Sequence, residues 1–191
     1  MRVLCALGPQ PNPLPEGEGR SIQMNRRIVI IGFMACGKTT VGRELARQLS
    51  CEFIDLDSFI TKHDGRSPAE IIQAHGEDSF REIETLALRD VLHDRKWRVI
   101  ALGGGAWTIA ANRTIVALYD CLTVWLDPPF ELCWDRINAA KTIRPMAPDR
   151  ETALQRYESR RADYALANRR IAVDETARPE TLAEQILRET S

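Results

Sequence analysis

The chain alternates between short apolar runs and stretches in which hydrophobic residues recur every three or four positions. Five runs read as strands: Ile28–Ile31, Glu52–Asp55, Val99–Leu102, Leu122–Leu126 and Ile171–Val173. Between them the helical period dominates. "KTTVGRELARQL" sets Val41, Leu45 and Leu49 four apart, on one face of a helix. "SPAEIIQA" opens with Ser67, Pro68 and Glu70, the spacing of a capping box with proline at the first helical position. Further helices are expected near 78–92, 108–118, 129–137, 151–166 and 179–188. This alternation implies β-α-β units, a parallel sheet and helices on both faces. "NAAKTIRPMAPDRE", with Pro145 and Pro148 among polar residues, breaks the pattern and reads as a loop. In such a sheet ligands bind beyond the carboxyl ends of the strands, so the residues that follow each strand are the ones to examine.

Bulk properties narrow the classes. A chain of 191 residues, 44% hydrophobic and 28% charged, suits one globular domain. Twenty-six basic residues against 27 acidic ones give no general attraction to nucleic acid, so an anion site must come from local placement of charge. No apolar run approaches the roughly 20 residues that span a bilayer. Cys5, Cys36, Cys51, Cys121 and Cys133 are odd in number and lack C-x-x-C spacing, which points to a reducing cytoplasm. His63, His75 and His93 form no ligand cluster and read as surface residues. Residues 1–23 are rich in Pro and Gly, without periodicity, and "VLCAL" is too short for a signal-peptide core. We expect them to be a disordered or misannotated leader before a start at Met24, with one domain over 24–191.

The chemistry gathers behind three strands. "GFMACGKTT", Gly32 to Thr40, has the spacing G-x-x-x-x-G-K-T between an apolar strand and an amphipathic helix. Backbone N–H groups from Ala35 through Cys36, Gly37, Lys38 and Thr39 can converge on phosphate oxygens at the helix N-terminus. Lys38 would reach the β- and γ-phosphates, and the Thr39 hydroxyl would ligate Mg²⁺. Cys36 is either a reactive thiol favoured by Lys38 and the helix end or a small filler. "DLD" follows the second strand. Read as extended chain, it puts Asp55 and Asp57 on one side, Asp55 facing Mg²⁺ and Asp57 able to take a hydrogen bond or proton from an alcohol; an Asp here also suits a helix N-cap. "GGGAW", Gly103 to Trp107, permits close backbone approach by a ligand, though a plain glycine turn has the same string. Arg81 and Glu84, three apart, can pair on a helix face. Arg81, Arg144, Arg160 and Arg161 carry planar forks suited to carboxylate or phosphate, although each, taken singly, reads first as a solvated surface residue.

Taken in order, these segments resemble the shikimate kinase family. "GFMACGKTTVGRELA" is similar to its phosphate loop, "FIDLD" to its Asp-x-Asp strand end, "GRSPAEII" and "GEDSFREIE" to its substrate helices. "LGGGA" resembles its triple-glycine segment, "KTIRP" its lid, and "RRADYALA" its late Arg-x-x-x-Tyr helix. The likeness runs from about Arg27 to the C-terminus. It implies a P-loop, nucleoside-monophosphate-kinase-like three-layer α/β/α fold with a five-stranded parallel sheet and a lid near 138–150. It also implies a monomeric cytoplasmic enzyme of aromatic amino-acid biosynthesis. Its substrates would be ATP and shikimate, whose 3-hydroxyl receives the γ-phosphoryl group, with Mg²⁺ as cofactor and no nucleic acid or membrane partner.

By position, the resemblance gives catalytic roles to Lys38, Asp57 and Arg144. ATP would be bound by Gly32, Ala35, Cys36, Gly37, Lys38, Thr39, Thr40, Arg136 and Arg144. Asp57, Arg81, Gly103, Gly104, Gly105 and Arg160 would bind shikimate, and Thr39 and Asp55 the metal. Three departures stand out. Ala35 holds a position often occupied by glycine, and Trp107 is bulky enough to crowd the glycine rim. "RRADY" lacks the usual Pro-Leu, so Arg160 is preferred to Arg161 on its four-residue spacing to Tyr164. No N-K-x-D, D-x-x-G or L-S-G-G-Q string occurs, which argues against a GTPase switch or a transporter ATPase.

Overall fold

In the computed structural model, residues 26–140 and 147–190 are described. Arg144 and the expected leader at 1–23 lie outside them, as does much of the expected lid. Five strands form one all-parallel sheet in the order β2-β3-β1-β4-β5: β1 (Ile28–Ile31), β2 (Glu52–Asp55), β3 (Trp97–Ala101), β4 (Leu122–Asp127) and β5 (Arg169–Ala172). The strands at the centre are mostly apolar because helices cover them on both sides, β1 throughout and β3 and β4 apart from Arg98, Thr123 and Asp127. Every residue of β1 and β4 is buried, whereas the edge strands β2 and β5 are partly exposed.

Among the described residues there are seven α-helices: α1 (Lys38–Gln48), α2 (Leu56–Asp64), α3 (Pro68–His93), α4 (Ala110–Leu118), α5 (Phe130–Ala139), α6 (Arg150–Tyr164) and α7 (Pro179–Thr190). A 3₁₀ turn, Ala106–Thr108, follows the glycine run. The capping box is present: Ser67 Oγ accepts from the Glu70 N–H while Glu70 Oε2 accepts from the Ser67 N–H. The expected helices near 68 and 78 are one element, bent at Gly76 (φ 84, ψ 168).

One expectation is overturned. "DLD" is not extended throughout, because α2 begins at Leu56. Asp55 is its N-cap, with Oδ1 accepting from the Ser58 N–H at 3.2 Å, and Asp57 lies in the first turn. Leu56, fully buried, starts the helix and turns the chain over the sheet edge.

The parallel register aligns the carboxyl ends. Ile30 pairs with Ala101 and Asp55 with Ala101, so the loops after β1, β2 and β3 emerge side by side. The chain leaves β1 towards β2 on one side and β4 towards β5 on the other. The crevice between these neighbours is the switch point at which such sheets bind ligands.

Candidate active site

A cleft of about 630 Å³ opens at this switch point. The phosphate loop from Met34 to Thr40 forms its floor, and Asp55, Asp57, Leu102 and Gly104 form one wall. The loop is tightly held. A Cβ on Gly32 (φ 143) would stand 2.6 Å from the Leu126 carbonyl oxygen and 2.9 Å from Cys36 Sγ, so only glycine fits against β4. Ala35 takes a left-handed φ of 60°, which accounts for the preference for glycine there. Lys38 curls back over the loop and donates from Nζ to the carbonyls of Gly32 (3.0 Å) and Phe33 (2.8 Å). Arg136 of α5 reaches across the cleft and donates to the Ala35 carbonyl at 3.3 Å. Cys36 is buried at 1% exposure, with Sγ 3.7 Å from Lys38 Nζ, and it packs beneath the loop.

The two residues expected at the metal meet directly. Thr39 Oγ1 donates to Asp55 Oδ2 at 2.5 Å, while Asp55 Oδ1 caps α2. Cap and candidate ligand are therefore the same carboxylate. No cluster of three or more His, Cys, Asp or Glu suited to a metal occurs among the described residues. A hydroxyl and a carboxylate beside a phosphate loop match the oxygen set of Mg²⁺, which takes one or two protein groups and completes its shell with phosphate and water.

The acceptor side is built around the three glycines. A Cβ on Gly103 would lie 2.5 Å from Glu84 Oε1 and 2.9 Å from Asp57 Oδ1; one on Gly105 would lie 2.2 Å from Arg81 Nη2. The glycines thus let two carboxyl groups and a guanidinium lie flat on the main chain. Arg81 donates from Nη1 to Glu84 Oε2 at 2.7 Å and from Nη2 to Glu77 Oε1 at 2.8 Å. Glu84 is fully buried and its Oε1 has no hydrogen-bond partner. Burial pushes its carboxyl up to about 7 despite the Arg81 charge, with the nearby Asp57 carboxylate adding to the rise.

Gly104 joins the two halves. A Cβ there would meet the Met34 N at 3.4 Å and Arg160 Nη1 at 3.5 Å. Tyr164, whose phenol burial pushes upward, donates to the Gly104 carbonyl. Arg160 and Tyr164, four apart, share the inward face of α6, and both are buried. Arg161 turns away and forms a fork on Asp127 at 2.6 and 3.1 Å, its guanidinium over the rings of Trp125 and Tyr157. Between the two arginines, the geometry therefore favours Arg160 at the rim.

Trp107 does not crowd the rim. It is buried in the 3₁₀ turn and its indole N–H donates to the Asp163 carbonyl at 3.0 Å, with Arg113 bound to the Asp163 carboxylate. Sequence reasoning missed the far wall of the cleft, Val173, Ala177, Pro179 and Leu182. Pro179 opening α7 after β5 marked that rim, by the logic used for the other strands.

Comparison with known proteins agrees with this geometry. A family model described as shikimate kinase matches residues 34–191. The shikimate kinase of Synechococcus sp. (strain JA-3-3Ab) is 40% identical over 162 residues, 83% of this chain and 84% of its own length. That of Bacillus subtilis (strain 168) is 34% identical over 164 residues, 85% and 87% of the two chains. The solved structure of shikimate kinase from Acinetobacter baumannii in complex with shikimate has a TM-score of 0.79 at 30% identity, covering 89% of this chain and 95% of that one. A gluconokinase from Sinorhizobium meliloti 1021, with a TM-score of 0.62 at 18% identity, shares the fold alone. The chain belongs to the shikimate kinase family.

Proposed function

We infer that the protein transfers the γ-phosphoryl group of ATP to the 3-hydroxyl of shikimate, giving shikimate 3-phosphate and ADP for aromatic amino-acid biosynthesis. The observation that carries this reading is Gly104, where the phosphate loop and the buried Arg160 approach within 3.4 and 3.5 Å of one point. A triphosphate seated in the loop and an acid held by Arg81 and Arg160 would then meet at Asp57.

Phosphoryl transfer asks little covalent chemistry of the protein; positioning and charge neutralisation supply most of the acceleration. The loop amides cradle the phosphates, and Lys38 exchanges its carbonyl partners for phosphate oxygens. Arg136, over the loop, borders the adenine end. Arg81 and Arg160 grip the shikimate carboxylate, and Asp57 orients the acceptor hydroxyl and takes its proton. Gly103 and Gly105 admit these groups by lacking a Cβ. Thr39 and Asp55 would hold Mg²⁺, which supplies positive charge to the phosphates when bound. Arg144 is proposed as a further phosphate partner on the resemblance alone.

A cytoplasmic location is supported by the free thiols of Cys36, Cys51, Cys121 and Cys133. No helix among the described residues is long and apolar enough to cross a membrane.

The test is ADP release from ATP and Mg²⁺ with and without shikimate. We expect ADP release to depend on shikimate and to saturate with it. Equal release without shikimate, or faster turnover of gluconate, would overturn the assignment.

A further inference from the structure

Glu77 has no role in the reaction as described, yet it sits where an acid should. It is the first residue after the bend at Gly76, where α3 restarts. Its two carboxylate oxygens divide between two helices. Oε1 accepts from Arg81 Nη2 at 2.8 Å, and Oε2 faces Arg156 Nη1 of α6 at 3.6 Å. Burial pulls the Glu77 carboxyl up, but the hydrogen bond from Arg81 and the charges of Arg81, Arg156 and Arg160 outweigh it and hold the group below the usual range. A carboxylate of the chain itself therefore rests in the field of three guanidinium groups, two of which are the proposed grips on the substrate acid. Arg81 also serves Glu84 through Nη1, so both of its terminal nitrogens are engaged by carboxylates.

The two tethers differ. Glu84 is fully buried and has no room to leave, whereas the Glu77 side chain is 36% exposed and that of Arg156 33%. A partly solvated ion pair is weak and exchangeable, a buried one is not.

We propose that Glu77 is an internal substitute for the substrate carboxylate, displaced from Arg81 towards Arg156 when the hydroxy-acid binds, which makes Glu77 and Arg156 specificity-determining residues of the acceptor site. The inference rests on the reading of Arg81 and Arg160 as the acid clamp. Acid entry is then the exchange of one carboxylate for another on the same fork. An uncharged polyol cannot make that exchange, because leaving Arg81 would cost Glu77 its partner with nothing gained. Arg156 lowers the cost for an acid by keeping the displaced Glu77 paired.

The sign of the test is unusual. Removing a residue that merely supports the site weakens the ligand, whereas removing a competitor tightens it. Shikimate KM and ATP KM are measured by ADP release for the wild type, E77Q, R156Q and the double variant, with shikimate carboxamide as a neutral acceptor. We expect E77Q to lower the shikimate KM about threefold, and R156Q to raise it about threefold, with ATP KM unchanged. In the double variant R156Q should have no further effect, and the carboxamide should gain nothing from E77Q. An unchanged or raised shikimate KM in E77Q overturns the proposal. If E77Q melts below the assay temperature, R156Q decides, and an unchanged KM there overturns it. A wild type indifferent to shikimate overturns the acid clamp and this inference with it; a wild type that uses shikimate beside an unimproved E77Q overturns the exchange alone.

Discussion

Gly105→Ala tests how firmly Arg81 is fixed. The added Cβ would lie 2.2, 2.5 and 2.7 Å from Nη2, Cζ and Nη1 of Arg81. Ordinary contact requires about 3.5 Å, so the guanidinium has to retreat by roughly 1 Å. An unrestrained arginine end would do so at little cost. Here Nη1 is bound at 2.7 Å to Glu84, which is itself fully buried, so retreat stretches that bond or drags a packed carboxyl with it. A hydrogen bond between charged groups contributes about 1.5–3 kcal/mol, and every 1.4 kcal/mol is tenfold in affinity. The Arg81 side chain is 18% exposed, which screens the pair only partly and supports the lower half of that range. We expect the shikimate KM to rise about 10- to 50-fold, with the ATP KM within twofold of wild type. The assay is coupled ADP detection, with each substrate titrated against saturation by the other. A shikimate KM within threefold of wild type would show that Arg81 yields freely and refute the fixed-fork argument. Equal weakening of both substrates would show general damage to the rim instead.

Other substitutions separate the remaining parts of the site. Asp57→Asn should retain ATP binding by calorimetry and lose about 10²–10⁴ in kcat, since it keeps the shape and removes the proton acceptor; near-normal turnover would exclude that role. Asp55→Asn should raise the Mg²⁺ concentration needed for half-maximal rate more than tenfold, because the Thr39–Asp55 pair loses its charge. An unchanged Mg²⁺ dependence would place the ion elsewhere. Glu84 gives a pH signature: its folded-state value, raised to about 7 from an unfolded value near 4.5, means that the folded protein binds the extra proton. Stability should therefore fall as pH rises from about 4.5 to about 7 and level off above, and Glu84→Gln should flatten that slope in melting curves. A slope identical in the two proteins would contradict the buried-acid assignment.

The sheet was legible because buried parallel strands leave largely apolar runs, and helices such as α1 and α3 because a hydrophobic period at Val41 and Leu45 or a capping box at Ser67 and Glu70 announces them. Helix α2 was not. "DLD" alternates like a strand and equally suits a helix N-cap; the Asp55 side chain, turned back onto the Ser58 N–H, decides for the cap. The candidate site was legible where a motif and the strand ends coincide, as at Lys38, Asp57 and Gly104, which all line one cleft. Spacing to Tyr164 points to Arg160 over Arg161 but supplies no physical reason for the choice. What separates them is the tertiary pairing of Arg161 with Asp127, 34 positions away. Trp107 looked obstructive because its partner, the Asp163 carbonyl, lies 56 residues on and leaves no trace in side-chain pattern. Glu77 was silent for a similar reason: as a charged residue on a helix it reads as surface, and its second partner belongs to another helix.

The most direct measurement is a crystal structure of the protein grown with ADP, Mg²⁺ and shikimate. We expect the shikimate carboxylate on the guanidinium groups of Arg81 and Arg160, and its 3-hydroxyl about 2.6–3.2 Å from an Asp57 oxygen, facing the β-phosphate across the loop. Shikimate bound away from these arginines, or with its 3-hydroxyl turned from both Asp57 and the nucleotide, would contradict the account.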